Sequence, residues 1–199
     1  MSAPRQSLTN SLRRLFDPLL ARSAAALSRL GIAPNTLTVL GFLICLGAGG
    51  LAALGYLFWA GLIFLMGSAL DALDGPLARH SGRSSLFGAF LDSTLDRYGE
   101  AALLVGLATH FATAGQPLLV FLTSLALLGS LMVSYTRARA EGLGIDNAVG
   151  LLTRLERVGL LTLTLLIGWT TLGLLALALL TQVTVAQRVL RVHQETSSS

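Results

Sequence analysis

The strongest constraint on this sequence is a series of six apolar runs, each close to the length of a membrane-spanning helix. They cover residues 36–54, 58–78, 87–112, 116–140, 151–169 and 172–190. About 20 apolar residues cross a hydrocarbon core of about 30 Å as a helix. The composition agrees, because 53% of the 199 residues are hydrophobic and only 12% are charged, about half the charged fraction of a typical soluble domain. We therefore predict an all-α, polytopic membrane protein with six transmembrane helices.

The chain before the first run has a different pattern. Residues 10–30 combine apolar side chains at helical spacing with arginines between them, which is typical of an amphipathic helix lying at the membrane surface. Because arginines interrupt it, we expect no cleavable signal peptide. We predict three parts: a cytoplasmic juxtamembrane segment over 1–32, a transmembrane domain over 33–193 and a disordered polar tail over 194–199.

The arginines predict how the chain is oriented in the membrane. All 14 Lys or Arg positions are arginines; with six spans they fall on one side of the membrane, and the loops on the other side contain none. The positive-inside rule places that side, with both termini, on the cytoplasmic side of a cell (inner) membrane. Attraction to anionic membrane lipids explains most of the N-terminal arginines. We therefore expect membrane lipids, and no nucleic acid, as partners of this basic surface.

Four aspartates lie in or beside the second and third runs. Asp71 and Asp74 are three residues apart, and Asp92 and Asp96 are four apart, so on helices each pair projects from one face. At about 1.5 Å per residue, both pairs lie in the inner third of the membrane. An isolated carboxylate there costs roughly 2.5–3.5 kcal/mol, so four cost about 10 kcal/mol or more. Such a cost is tolerable only if the carboxylates share cations.

Divalent metal ions suit these carboxylates. Mg²⁺ prefers oxygen ligands and binds through carboxylates together with substrate phosphates. Two ions can stabilise both the attacking and the leaving oxygen of a displacement, so we predict two Mg²⁺ or Mn²⁺ ions. Buried ion pairs with Arg79, Arg83 and Arg97 are the alternative, but four acids on matching faces exceed what helix packing needs.

Three further residues beside the carboxylates affect the backbone. Gly75 and Gly88 permit the close approach of either a ligand or another helix, and both explanations stay open. Pro76 is expected to kink or end the second helix and to free the carbonyl group of Ala72.

These residues belong to one longer motif, Asp71-x2-Asp74-Gly75-x2-Ala78-Arg79-x8-Gly88-x3-Asp92-x3-Asp96. Its eight fixed positions resemble the complete signature of the CDP-alcohol phosphotransferase family. The resemblance implies an enzyme that transfers a phosphatidyl group, or a related lipid phosphate group, from a CDP-linked lipid to an alcohol and releases CMP. CDP-diacylglycerol is the usual donor in that family, and a homodimer is the usual assembly.

The resemblance also implies roles for individual residues. The first three aspartates, Asp71, Asp74 and Asp92, would bind metal. Asp96 would lie near the metals and act as the base for the attacking hydroxyl, and Arg79 would help to neutralise the diphosphate, as such a displacement requires. The CDP moiety would be contacted by Pro34, Asn35, Thr38, Asp71, Gly75, Ala78, Arg79, Ser85 and Gly88. Helix capping is an alternative role for the Pro34–Thr38 element and for Ser85.

The second half of the chain indicates the acceptor. The stretch Ser134-Tyr-Thr-Arg137-Ala-Arg139-Ala-Glu141, with Arg154-Leu-Glu156-Arg157 and Gln187-Arg188, resembles motifs of prokaryotic phosphatidylinositol phosphate synthases. The resemblance implies a pocket for the phosphate of inositol 1-phosphate, a task that suits the guanidinium fork. Its residues would be Ser134, Arg137, Arg139, Arg157 and Arg188.

Several alternatives stay open. Arg137, Leu155 and Leu86 depart from the synthase pattern, so another alcohol phosphate, such as glycerol 3-phosphate in a phosphatidylglycerophosphate synthase, is the nearest competitor. The arginines could also be cytoplasmic anchors only. An intramembrane prenyltransferase would need two acidic motifs far apart in sequence. A divalent-cation transporter would need broken or polar helices in the second half, where the last two runs are plain Leu/Ala/Thr stretches.

Overall fold

The computed structural model describes residues 22–147 and 149–197, and this part of the chain contains helices and connecting loops but no strand. The prediction of an all-α protein is confirmed. Residues 1–21, which hold most of the predicted interfacial helix and juxtamembrane segment, lie outside the described residues, as do 148, 198 and 199. The helices of the described part are α1 (22–29), α2 (Pro34–Ala53), α3 (Leu57–Asp71), α4 (Asp74–His80), α5 (Leu86–Thr113), α6 (Pro117–Glu141), α7 (Arg154–Leu166) and α8 (Thr170–Ser197).

Four membrane spans are supported by length and composition among the described residues. They are Pro34–Ala53, Leu57–His80, Pro117–Glu141 and Thr170–Ser197. Helix α5 has 28 residues but carries several charged side chains in its first half. Helix α7 has only 13 residues, about 20 Å of helix, which is shorter than a hydrocarbon core of about 30 Å. Four of the six predicted spans are therefore supported, and the other two remain predictions.

Two predicted helix breaks are confirmed. Helix α3 ends at Asp71 and α4 begins at Asp74, so the break lies just before Pro76, whose missing N–H cannot continue the helix onto Ala72. The break between the last two predicted runs, 151–169 and 172–190, is also real, although it comes a few residues earlier, because α8 already begins at Thr170. Helix α7 ends at Leu166, and Gly168 has a φ of 77°, a conformation that glycine adopts at little cost.

The C-terminal boundary differs from the prediction. Helix α8 continues to Ser197, so a disordered tail over 194–199 is wrong for residues 194–197. Arg191 and Glu195 form an ion pair one turn apart in this exposed last part of the helix, and such pairs stabilise a helix slightly. Polar composition alone therefore did not end the helix here.

Helix α2 lies between α3 and α5, and glycines let these helices approach closely. A Cβ atom on Gly106 of α5 would lie 2.0 Å from the carbonyl oxygen of Gly49 in α2, and one on Gly67 of α3 would lie 2.9 Å from that of Gly41. Helix α6 packs against α5 and α8, and α7 packs against α3 and α8. Small residues thus bring the backbone of α2 against α3 and α5, which carry Asp71, Asp92 and Asp96.

Candidate active site

The helix ends bring the two predicted acidic pairs together. Asp71 is the last residue of α3, and Asp74 is the first residue of α4. Helix α5 begins next to Ser85, whose Oγ accepts a hydrogen bond of 2.9 Å from the backbone N–H of Gly88. Asp92 follows one turn after Gly88 on the same helix face. The capping role considered for Ser85 is confirmed.

Three of the four aspartates form a compact cluster. Asp71, Asp74 and Asp92 each offer a carboxylate oxygen, and these oxygens lie within 4.8 Å of one another. Asp71 and Asp74 are buried, and Asp92 is half-buried. The Thr38 hydroxyl, from α2, donates a hydrogen bond to Oδ2 of Asp74. A group of anionic oxygens at this spacing fits a hard divalent cation, which prefers oxygen ligands.

Asp96 lies outside this three-residue cluster and has other partners. Its carboxylate pairs with Nη2 of Arg154, which also lies 2.8 Å from Oδ2 of Asp71. Nη1 of Arg97 is 3.8 Å from Asp96. Among the described residues, neither Arg79 nor Arg83 forms an ion pair with an aspartate. The alternative of charge neutralisation by arginine therefore holds in part, through Arg97.

A cavity of about 250 Å³ opens beside Asp74 and Asp92. It lies between the N-terminal ends of α2, α4 and α5. Eight of the nine residues that the resemblance assigns to the CDP moiety line this cavity; Asp71 lines a small adjacent cavity with Asp96 and Arg154 instead. The eight are Pro34, Asn35, Thr38, Gly75, Ala78, Arg79, Ser85 and Gly88.

Glycine shapes one wall of this cavity. A Cβ atom on Gly88 would lie 3.1 Å from Oδ1 of Asn35 and 3.0 Å from Oγ of Ser85, so a larger residue would crowd the place where α2 meets α5. At α2 the capping alternative is wrong. The N-cap residue is Ala33, without a side-chain hydrogen bond, and Thr38 contacts Asp74 instead.

The predicted acceptor residues on α6 are accessible. Ser134 is half-buried and donates to the carbonyl of Ser130 in its own helix at 3.3 Å. Arg137 is exposed and pairs with Glu141 at 2.8 Å. Arg139 is also exposed, but it follows Arg137 by two residues and so lies more than half a turn around the helix. The two arginines therefore face different directions.

The other two predicted acceptor residues are buried and have protein partners. Arg157 of α7 donates from Nε and Nη2 to the two carboxylate oxygens of Glu100, at 2.8 and 2.9 Å. Arg188 of α8 donates to the carbonyl groups of Val149, at 2.9 Å, and Val133. Arg137 and Arg157 are close enough to Arg188 to interact with it electrostatically. The structure thus groups these three arginines, but two of them are already anchored.

Two charged residues of this region were missed by the sequence prediction of site residues. They are Arg154, which pairs with two aspartates, and Glu100, which holds Arg157. A signal for Glu100 exists, because it continues the four-residue spacing of Asp92 and Asp96 along one face of α5. Arg154 is one turn before Arg157, and Thr153 with Glu156 forms a capping box that fixes the start of α7 there.

The family of the protein follows from sequence comparison. A family model described as CDP-alcohol phosphatidyltransferase matches residues 31–190, a range that includes the four aspartates, the residues that line the cavity and the arginines of the candidate site. The chain therefore belongs to the CDP-alcohol phosphatidyltransferase family. It is an enzyme of that type and an integral membrane transferase.

Within the family, the chain is similar to synthases of inositol phosphate lipids. The chain is 43% identical over 183 residues to the archaetidylinositol phosphate synthase of Pyrococcus horikoshii, with 92% of this chain and 95% of the relative covered. It is 39% identical over 154 residues to the phosphatidylinositol phosphate synthase of Streptomyces avermitilis, with 76% and 63% covered.

Solved structures show the same fold. The phosphatidylinositol phosphate synthase of Mycobacterium tuberculosis with CDP-DAG bound is 29% identical, with a TM-score of 0.81 over 88% of this chain and 94% of that one. The same protein in complex with manganese and citrate also gives a TM-score of 0.81, at 30% identity over 87% and 88% of the two chains.

Proposed function

We propose that this enzyme transfers a phosphatidyl or related lipid phosphate group from a CDP-linked lipid to inositol 1-phosphate and releases CMP. One observation carries the proposal. A single cavity joins eight residues expected to contact CDP with two members of the aspartate cluster. The relatives named above as inositol phosphate synthases, and the bound CDP-DAG of the structural relative, support the same donor and acceptor.

Metal ions are part of this proposal. Asp71, Asp74 and Asp92 would hold the first divalent ion, since their oxygens lie within 4.8 Å of one another. Asp96 would contribute to a second ion once its pairing with Arg154 is released. Mg²⁺ or Mn²⁺ would supply charge neutralisation of the diphosphate and polarisation of its phosphorus–oxygen bonds. The manganese complex of the structural relative supports a divalent metal of this kind.

The reaction proposed is a displacement at phosphorus. Asp96 accepts the proton of the acceptor hydroxyl, whose oxygen forms a bond to the phosphorus atom that carries the lipid. The bond from this phosphorus to the bridging oxygen breaks, and CMP leaves with the electron pair. Arg79 lines the cavity, where its guanidinium would stabilise the charge on the departing phosphate.

The acceptor phosphate would bind next to the grouped arginines. Arg137 is exposed, so a ligand can reach it and compete with Glu141. Glu100 occupies the Nε and Nη2 edge of the Arg157 guanidinium, which would leave Nη1 for an incoming oxygen. In this proposal Arg188, which is bonded to two carbonyl groups, supports the pocket with its charge. Ser134 is one turn before Arg137 on the same side of α6 and stays in the proposed set, whereas Arg139, which the sequence also assigned to this pocket, faces a different direction and is left out of it. Glycerol 3-phosphate remains the second candidate acceptor, because an arginine pocket suits either phosphate.

The remaining structural proposals concern the membrane. We propose six spans in a domain over 33–193, with α5 and α7 crossing alongside the four supported helices, and with segment 1–32 at the surface. The active site and both termini would face the cytoplasm, because the arginines are all on that side of a six-span topology. We also propose a homodimer, on the family resemblance.

The test is CMP release by the purified full-length protein in detergent with Mg²⁺ and CDP-diacylglycerol. Inositol 1-phosphate, glycerol 3-phosphate, free inositol and serine are supplied in parallel, with Asp96→Asn as the blank. Release only with inositol 1-phosphate supports the proposal, and release with another alcohol replaces the acceptor. Unchanged activity of Asp96→Asn would remove that residue from the chemistry.

A further inference from the structure

Arg154 connects α7 to carboxylates on two other helices. It is the first residue of α7, and the capping box of Thr153 and Glu156 fixes where that helix begins. Its Nη2 lies 2.8 Å from Oδ2 of Asp71 and also contacts Oδ1 of Asp96. Nothing in the proposed displacement uses a guanidinium at this place. The contact therefore calls for a separate explanation.

Charge explains why a cation lies here. Four aspartates converge where α3 ends, α4 begins and the first half of α5 passes. Asp71 belongs both to the three-residue cluster and to the Arg154 pair. Among the ion pairs of the described residues, Arg154 is the one cation that bridges two of these aspartates. Buried carboxylates without a partner are costly. A single nitrogen of Arg154, Nη2, contacts both carboxylates, so one guanidinium compensates two negative charges at once.

The Arg154 guanidinium, where it lies beside Asp71, weakens the binding of a metal ion to that carboxylate. A divalent ion on Asp71 would lie within a few ångströms of the Arg154 guanidinium, which has the same sign of charge, and their repulsion is substantial in a partly buried site. Both cations also draw on the carboxylate of Asp71, which belongs to the three-residue cluster and pairs with Arg154. Each cation therefore weakens the binding of the other.

We propose that Arg154 is a built-in counter-cation that competes with the metal for Asp71 and Asp96. It stabilises the metal-free enzyme, leaves the two carboxylates when metal binds, and thereby sets a weaker metal affinity than the aspartates alone would give. This inference rests on the proposed metal site. Substitution of an active-site residue usually weakens ligand binding, whereas removal of the Arg154 charge should tighten metal binding.

The test measures Mn²⁺ binding to the full-length protein in detergent, without substrates, by the electron paramagnetic resonance signal of free Mn²⁺. Arg154→Gln is compared with Arg83→Gln, which removes an equal charge from an arginine that lines the adjacent larger cavity and, among the described residues, forms no ion pair with an aspartate. We expect the Mn²⁺ Kd of Arg154→Gln to fall about tenfold, a usual size for coupling between two sites, and that of Arg83→Gln to change little. An unchanged or higher Kd for Arg154→Gln overturns the inference.

Thermal unfolding provides a second readout. The metal-free Arg154→Gln protein should melt below the wild type, whereas the two Mn²⁺-saturated proteins should melt together, because the contact exists only without metal. An equal loss in both states would mean an ordinary structural role and overturn the inference. Arg154→Lys, which keeps the charge, serves if the Gln variant does not fold, and it should give an intermediate Kd. Absence of saturable Mn²⁺ binding by the wild type would overturn the metal site itself, and this inference with it.

Discussion

Glu100 and Arg157 form a buried ion pair with two parallel hydrogen bonds, of 2.8 and 2.9 Å, between α5 and α7. Both side chains are almost fully excluded from the surface of the protein. Glu100 follows Asp96 by one turn of α5, and Arg157 follows Arg154 by one turn of α7. Helix α5, which carries Asp92 and Asp96, is thus tied to α7 by two successive ion pairs, Arg154–Asp96 and Arg157–Glu100, and the first of these lies in the candidate active site.

Breaking the deeper pair should be costly. Glu100→Gln leaves the Arg157 guanidinium buried without a counter-charge, and such changes typically destabilise a protein by about 3–5 kcal/mol. Thermal or denaturant unfolding in detergent measures the loss. Glu141→Gln is the matched control, because the Arg137–Glu141 pair is exposed and worth only about 0–1 kcal/mol. Similar losses in the two variants would contradict the importance of burial. Glu100→Gln should also raise the KM for the acceptor more than that for the CDP-lipid.

The acidic cluster can be predicted from sequence, whereas its partners cannot, and distance along the chain is the reason. Asp92 and Asp96 are one turn apart on α5, and Asp71 and Asp74 flank the short break between α3 and α4, so local spacing is enough to predict that the members of each pair lie close together. Asp71 and Arg154 are 83 residues apart, and Glu100 and Arg157 are 57 apart. Only tertiary packing brings such residues together. An arginine that the sequence assigns to a ligand can therefore already be paired with a carboxylate of the protein, as Arg157 is with Glu100.

The same argument applies to the fold. Apolar runs predict the four long apolar helices, because helical spans are built from local sequence. They overestimate α7, which begins only at Arg154. Leu151, Leu152 and the N-cap residue Thr153 precede it as a loop, and Leu152 is buried against the core. The sequence Thr153-Arg-Leu-Glu156 carries the capping-box signal for this start, and hydropathy alone conceals it.

Asp92 should be required for metal binding. Asp92→Asn removes one of the three carboxylates whose oxygens lie within 4.8 Å of one another, and an amide neutralises no charge on the ion. We expect Mn²⁺ affinity to fall at least about tenfold, since ligand charge sets affinity at such sites, and CMP release to fall to background. Free Mn²⁺ and CMP release are measured on the same preparation. Asp146→Asn, an exposed loop aspartate, should match the wild type. Wild-type Mn²⁺ affinity in Asp92→Asn would assign the metal to other ligands.

Metal removal gives an independent check. A chelator should abolish CMP release by the wild type, and added Mg²⁺ or Mn²⁺ should restore it, because the diphosphate then regains the charge neutralisation that the aspartates alone cannot give. Calcium, which accepts longer and less regular coordination, should restore less activity. Full activity in the presence of excess chelator would exclude the proposed role of the aspartate cluster.

Thr38 should strengthen the binding of the CDP-lipid or of the metal ion through its hydrogen bond to Asp74. Thr38→Val keeps the shape of the side chain but removes the hydroxyl that donates to Oδ2 of Asp74, and a hydrogen bond to a charged group is worth about 1.5–3 kcal/mol. We expect a rise of about tenfold or more in the KM for the CDP-lipid or in the Kd for Mn²⁺, with the helices intact. Thr123→Val is the control, because that buried hydroxyl donates only within its own helix, to Leu119 at 2.7 Å. Equal kinetic effects from the two substitutions would separate Thr38 from the site.

The close approach of α2 and α5 should tolerate no added methyl group. A Cβ on Gly106 would lie 2.0 Å from the carbonyl oxygen of Gly49, so Gly106→Ala must push two backbones apart, and overpacking of this kind costs about 1–3 kcal/mol or more. Gly47→Ala on α2 is the control. Its Cβ would meet nothing within 4 Å, and alanine should gain up to about 1 kcal/mol in helix propensity. Because α2 carries Thr38 and α5 carries Asp92, the displacement should also weaken Mn²⁺ binding. A Gly106→Ala protein as stable as the wild type would show that the two helices can separate without cost.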